Sequence, residues 1–154
     1  MAERRWPARV VLALLGLALA AGGCGGGGVS SGATVSAYVA APLCKGARQQ
    51  LQREANAVED LHVRAVCLPV AEAHGRRNLA RIGASARLAT QDSTTIAFLE
   101  ATGPGAKFSQ TIVESADIAW VASGSGTTAM RRVLQALEGG TGSPRATVRE
   151  ALDG

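Results

Sequence analysis

A chain of 154 residues with 47% hydrophobic side chains, 3% aromatic side chains and a formal charge of +4 has material for one ordinary domain core and no more. Few aromatics and a modest charge exclude a basic, base-stacking nucleic-acid surface. Part of that charge lies at the start of the chain: without Arg4, Arg5, Arg9 and Glu3 the count falls from 16 basic and 12 acidic residues to 13 and 11, so the net charge falls from +4 to +2.

Residues 1–23 read as a signal segment. Arg4, Arg5 and Arg9 make a positive start, and the apolar run from Val10 to Ala21 suits a secretory signal better than a membrane span. Cys24 follows the small residues Ala21, Gly22 and Gly23 and resembles the lipid-modified cysteine of a bacterial lipoprotein; simple secretion or a tethering helix is the alternative. Acyl chains on one cysteine, at about 0.8 kcal/mol per buried CH₂, would anchor the protein to the bacterial cell membrane on its extracytoplasmic side. Residues 24–33, rich in Gly and Ser, form a flexible tether, which leaves residues 34–154 for the domain.

In chain order, the alternating run Thr34 to Ala40 predicts a first strand, closed by Ala41-Pro42. Lys45 to Val58 predicts a helix with Ala47, Leu51, Ala55 and Val58 on one stripe and Arg48, Gln52 and Glu59 off it. Leu61 to Leu68 predicts a second strand, stopped by Pro69, and Arg76 to Thr90 a helix with Leu79, Ile82, Ala86 and Ala89 inward and Arg77, Arg81 and Arg87 on a solvated face. The short apolar runs Thr94 to Leu99 and Ile118 to Ala122 read as the third and fourth strands. Between them Gly103-Pro104 signals a helix start, with Phe108, Ile112 and Ala116 on its apolar stripe. Ala129 to Leu137 is a further helix, and Ser143-Pro144 caps a terminal one reaching Leu152. Right-handed crossovers fold this series into a three-layer α/β/α domain, a parallel sheet of about four strands in the order 2-1-3-4 with helices on both faces.

Cys44 and Cys67 are an even pair in an exported chain, which favours a disulfide over two buried thiols. The bond would close a loop of about 24 residues and contribute roughly 3 kcal/mol. His62 and His74 make no ligand spacing with the cysteines, so no metal or other cofactor is expected.

In such sheets ligands sit beyond the carboxyl ends of the strands, where the strand order reverses. Three loops are expected there: Pro42-Leu43-Cys44, Glu100 to Gly103, and Ser123 to Gly126. Two of them open helices, whose N–H groups favour an anion such as a carboxylate. Glu100 reads as a solvated strand-end carboxylate, with amine binding as its alternative, and Trp120 as core. Gly124 to Ala129 matches the G-x-G-x-x-A dinucleotide fingerprint, but it follows the fourth strand and no strand beyond it can carry the acidic ribose partner. Ser123 and Ser125 lack a nucleophile elbow and no histidine follows them. A non-enzymatic protein is the expectation.

These residues resemble the N-terminal lobe of the type 1 periplasmic binding proteins, the substrate-binding family of branched-chain amino acid ABC transporters. The carriers are the first strand running into Ala41-Pro42-Leu43, the helix Ala84 to Leu88 leading through Asp92 to the third strand, and the segment Phe108 to Ser125. The likeness covers about Thr34 to Met130. It implies recognition of an amino acid or similar small molecule, with Thr102, Gly103, Ser123, Ser125 and Gly126 as the ligand-binding positions. The implied partners are an ABC permease and a second lobe supplied separately.

Overall fold

The computed structural model describes residues 32–54, 58, 60–73 and 76–153. The expected signal segment, Cys24, nearly all of the tether, Ala55, Glu59 and His74 lie outside the described residues.

Four strands, β1 (Ala33–Val39), β2 (Leu61–Cys67), β5 (Thr95–Ala101) and β6 (Ala119–Ser123), form a parallel sheet in the order β2-β1-β5-β6. This is the expected 2-1-3-4 order, with β5 and β6 as the third and fourth of the expected strands. A separate two-residue antiparallel ribbon, β3 (Glu72–Ala73) with β4 (Arg76–Arg77), lies between β2 and the next helix and was not anticipated. β1 and β2 pair in unbroken register from Ala33 with Leu61 to Val39 with Cys67, whereas the β1–β5 register shifts between Ser36 and Ala37.

The side-chain alternation of the strands divides the core in two. Val35, Ala37 and Val39 of β1 and Leu99 of β5 pack with α1 (Ala41–Arg53), α4 (Gly126–Glu138) and α5 (Pro144–Asp153). Tyr38 and Phe98 point the other way, with Trp120 beside them, under α2 (Leu79–Gln91) and α3 (Ala106–Glu114). A buried Leu, Ile or Phe of this kind stabilises the fold by about 1.5–3 kcal/mol, so both faces must be covered. The outcome is the three-layer α/β/α domain.

Helix boundaries depart from expectation for identifiable reasons. α1 begins at Ala41 rather than Lys45 because Pro42, whose fixed φ suits a first turn, sits at its start, and it ends at Arg53 rather than Val58. α2 begins at Leu79 rather than Arg76 because the Asn78 side chain accepts a hydrogen bond from Arg81 N at 3.2 Å and caps the helix there. Arg77 is therefore in a strand, not on a solvated helix face, and Leu79, expected inward, is half exposed. α3 starts after Gly105, which takes a left-handed φ of 88°. No described helix is long and apolar enough to cross a membrane.

Candidate functional site

At the carboxyl end of the sheet the chain leaves β1 for β2 on one side and meets β5 on the other. At that reversal lies a cleft of about 40 Å³. Its floor and walls come from Ala40 to Pro42 after β1, Leu68 to Ala71 after β2, and Phe98, Glu100 and Ala101 of β5. Arg77 of the ribbon and Ile82 and Ser85 of α2 complete it. The walls are held by main-chain bonds, Ala40 N to Leu99 O at 2.8 Å and Leu68 N to Val39 O at 2.9 Å. Cys44 and Cys67 stand as disulfide partners with their Cα atoms 5.6 Å apart, tying the α1 wall to the β2 wall. Asn78 N to Ala71 O, at 2.8 Å, fastens the ribbon alongside.

Glu100 is the cleft's buried charge. It is 6% exposed, which corrects the solvated strand-end carboxylate expected from its position. Its side chain lies on the face covered by α3, where Oε1 accepts from Ala101 N at 3.0 Å and Oε2 from Ser109 Oγ at 3.3 Å. The Ser109 hydroxyl also lies 2.8 Å from Ala106 O and accepts from Trp120 Nε1 at 3.2 Å. One hydroxyl proton cannot serve two acceptors, so Oε2 competes with Ala106 O and is under-bonded as a carboxylate. Burial pushes the Glu100 carboxyl above its ordinary value, against the opposing pull of Ala101 N, Arg77 and Ser109.

Arg77 faces it across the cleft. Its Nη1 is 4.0 Å from Glu100 Oε1, too far for a hydrogen bond but within ion-pair range, and its Nη2 donates to Thr102 O at 3.5 Å. Arg77 also lies against Gly103, whose φ is 138°. A side chain at Gly103 would be strained by that backbone conformation and pressed against the guanidinium. Ser85, 9% exposed, lines the cleft.

The positions implied as ligand-binding lie beside this cleft rather than in its lining. Thr102 and Gly103 follow its β5 wall, and Thr102 N donates to Ser123 O at 3.2 Å, joining the two expected loops. The Ser123 hydroxyl donates to Ser125 O at 2.9 Å and accepts from Ser125 N at 3.1 Å, while Ser125 Oγ caps α4 by accepting from Thr128 N at 3.4 Å. Gly126 is buried, and a Cβ placed there would stand 1.9 Å from Leu43 O. With Gly46, where a Cβ would meet Thr127 N at 2.9 Å, it lets α1 and α4 touch backbone to backbone. The G-x-G-x-x-A spelling thus serves helix packing at its second glycine. Of the loop expected after β1, Pro42 lines the cleft, Leu43 is buried and Cys44 faces Cys67.

Arg77 and Ser85 were not among the expected site residues. For Arg77 a signal existed, since Asn78 immediately before an apolar-periodic run is a helix start that leaves Arg77 outside. Ser85 carries no comparable local mark. Among the described residues no three His, Cys, Asp or Glu side chains gather as metal ligands, and His62 is exposed. No family model, curated protein or solved structure matches the chain.

Proposed function

We propose that this protein is a non-catalytic, lipid-anchored extracytoplasmic lobe that recognises a small polar molecule of the amino-acid type, in the manner of the substrate-binding proteins of ABC transporters. The observation that carries the reading is the cleft at the strand-order reversal between β1 and β5, the place where open α/β sheets take their ligands. The charged start of the chain, the cysteine after small residues and the Cys44–Cys67 pair support an exported, oxidising setting. A separate second lobe or an ABC permease would be its partner. A thermal-shift screen of the full chain in detergent against amino acids and related small metabolites at millimolar concentration tests the reading. Stabilisation by one class is the expected result, and a flat response across the whole panel would remove the case for a ligand.

A specific observation favours a second reading, a lobe kept as an interaction module without a ligand of its own. Val70 at the cleft, and Leu79 and Phe108 on the adjoining α2–α3 surface, are 57%, 50% and 45% exposed. An apolar rim of this kind suits a covering protein surface. Analytical ultracentrifugation with a separately expressed permease or second lobe distinguishes the two, because the module reading requires a complex that forms without added small molecule.

A further inference from the structure

We propose that the α2–α3 face of the domain rests on an anionic phospholipid surface, with Leu79, Leu88 and Phe108 at the lipid boundary and Arg76, Arg81, Arg87 and Lys107 on the headgroup phosphates. This orientation presupposes the lipid anchor proposed above but no ligand in the cleft.

Apolar surface is distributed unevenly over the molecule. Among the described residues the exposed large apolar side chains are Val70, Leu79, Leu88 and Phe108. The last three belong to α2 and α3, and Val70 is tied to α2 through its carbonyl, which accepts from Arg81 Nη1 at 3.4 Å. Close contacts join them into one surface. Phe108 Cε1 and the Arg87 guanidinium meet over Gly83, where a Cβ would stand 3.0 Å from the first and 3.6 Å from the second. Leu79 Cδ2 reaches Gly105 at the start of α3, 3.3 Å from a Cβ placed there. Along α2 the exposed Ala80, Ala84 and Leu88 follow at four-residue spacing on one line of the helix.

The exposed charges on α2 and at the start of α3 are of one sign. Arg81, Arg87 and Lys107 are exposed, as is Arg76 in the ribbon, and α2 contains no acidic residue. Of the nearest acids, Asp92 ends α2 in an ion pair with Arg64, Glu114 accepts from Gln110 Nε2 at 2.7 Å, and Glu72 stands opposite Arg77 in the ribbon. The opposite layer differs on both counts. There α4 and α5 expose Arg131 and Arg132 together with Glu138, Glu150 and Asp153, and no large apolar side chain. Apolar groups ringed by Arg and Lys suit the interface of an anionic bilayer, where the cations meet phosphates and their aliphatic stems lie along the apolar groups.

An acidic protein surface would offer the same chemistry, and the tether decides between the two. Cys24 lies nine residues before Ala33, a span of about 30 Å at most, so an anchored domain never leaves the neighbourhood of the membrane. A contact too weak to recruit a free protein is populated under that constraint, because the lipid surface is present at high effective concentration. Docking also bears on the cleft. Val70 belongs both to this surface and to the cleft wall, so the docked domain holds the rim of the cleft at the headgroup layer.

The chain has two lysines, exposed on opposite layers, Lys45 on α1 and Lys107 on α3, so one labelling experiment carries its own control. The full-length product, purified from an expressing bacterium in detergent, is reconstituted into vesicles of phosphatidylglycerol with phosphatidylcholine, or of phosphatidylcholine alone. It is treated with a water-soluble acetylating ester and analysed by peptide mass spectrometry, with flotation reporting vesicle attachment. In the phosphatidylglycerol vesicles Lys107 should react about fivefold more slowly relative to Lys45 than in detergent, as for a face docked about four-fifths of the time. The slowing should vanish in phosphatidylcholine and shrink at about 0.5 M salt. Leu88→Glu and Arg87→Glu should each restore most of the labelling, while Arg131→Glu on the opposite layer should not. Circular dichroism melts show whether each variant is folded, and should one not fold, the lipid and salt comparisons on the unaltered chain decide. If Lys107 and Lys45 keep their detergent ratio in vesicles that float, the anchor stands and the orientation is wrong. If the chain does not float, anchor and orientation fall together. Equal slowing in phosphatidylcholine would mean contact without charge recognition and overturn the assignment, as would slowing in detergent that grows with protein concentration, which marks a contact between chains.

Discussion

Tyr38 donates its phenolic hydroxyl to Asp92 Oδ2 at 3.1 Å, which joins the central strand to the residue that ends α2. The same carboxylate accepts from Thr94 N at 2.9 Å and Thr94 Oγ1 at 2.7 Å, and pairs with Arg64 at 3.3 Å. Arg64 Nε in turn donates to Ser36 Oγ at 2.7 Å, and Ser36 and Thr94 share a hydrogen bond of 2.7 Å. One acid thus links β1, β2 and the entry to β5.

Removing that acid should be costly and pH-dependent. The hydrogen bond from the Thr94 side chain, foremost among several, holds the Asp92 carboxyl below its ordinary 3.8 despite partial burial. The stability it supplies is therefore fully present above pH 3.8 and is lost as pH falls through the lower folded value. Asp92→Ala should cost about 1–3 kcal/mol at pH 7, because several donors lose their acceptor together, and should flatten the acid limb of the stability profile. Tyr38→Phe should cost about 1 kcal/mol, since Asp92 keeps its other partners. Urea denaturation from pH 2.5 to 7 measures both, and an unchanged acid limb in Asp92→Ala would refute the assignment.

Glu100 should show the opposite pH dependence. Burial raises its folded carboxyl above the ordinary 4.5, so the native protein holds the proton more tightly than the unfolded chain. Its unfavourable contribution is absent below pH 4.5 and grows as pH rises through the folded value. Glu100→Gln keeps the shape and removes the titration, so the variant should gain stability relative to wild type as pH rises toward 7. Parallel profiles of the two proteins between pH 4 and 7 would mean that Glu100 titrates as in solution.

Gly126→Ala should destabilise the fold by about 1–3 kcal/mol through overpacking, because its methyl would collide with Leu43 O at 1.9 Å, an atom of the backbone. Gly139→Ala meets nothing within 4 Å and should change stability by less than about 0.5 kcal/mol. Equal effects of the two substitutions in chemical denaturation would contradict the backbone contact of α1 with α4.

Reduction of Cys44 and Cys67 should lower stability by about 3 kcal/mol on chain-entropy grounds and separate two walls of the cleft. Urea midpoints with and without dithiothreitol measure the first effect. Mass spectrometry of alkylated protein checks the pairing, and full alkylation before reduction would rule it out.

The sheet was legible because short β-branched and aromatic runs alternate or stand isolated between turn residues, and crossover handedness then leaves few arrangements. The site was legible only in its location. Glu100 is recognisable as a strand-end acid, but its burial depends on Ser109 and Trp120 arriving from α3 and β6, and nothing adjacent to it in the chain announces them. Gly126 likewise looks like a ligand-facing glycine because loop composition cannot reveal a Leu43 carbonyl approaching from another helix. Helix starts depart from the apolar periodicity where local backbone chemistry sets them, the Asn78 side-chain cap for α2 and Pro42 in the first turn of α1.

Among the described residues, the ribbon that carries Arg77 has two residue pairs, Glu72 with Arg77 and Ala73 with Arg76, and forms a sheet separate from the four-stranded one. The positive partner of the cleft is thereby supplied by an appendage, while its negative partner is part of β5. Fold and cleft charge are in this way partly uncoupled: the ribbon's residues could be exchanged, and with them the charge that faces Glu100, with the strands of the main sheet left intact.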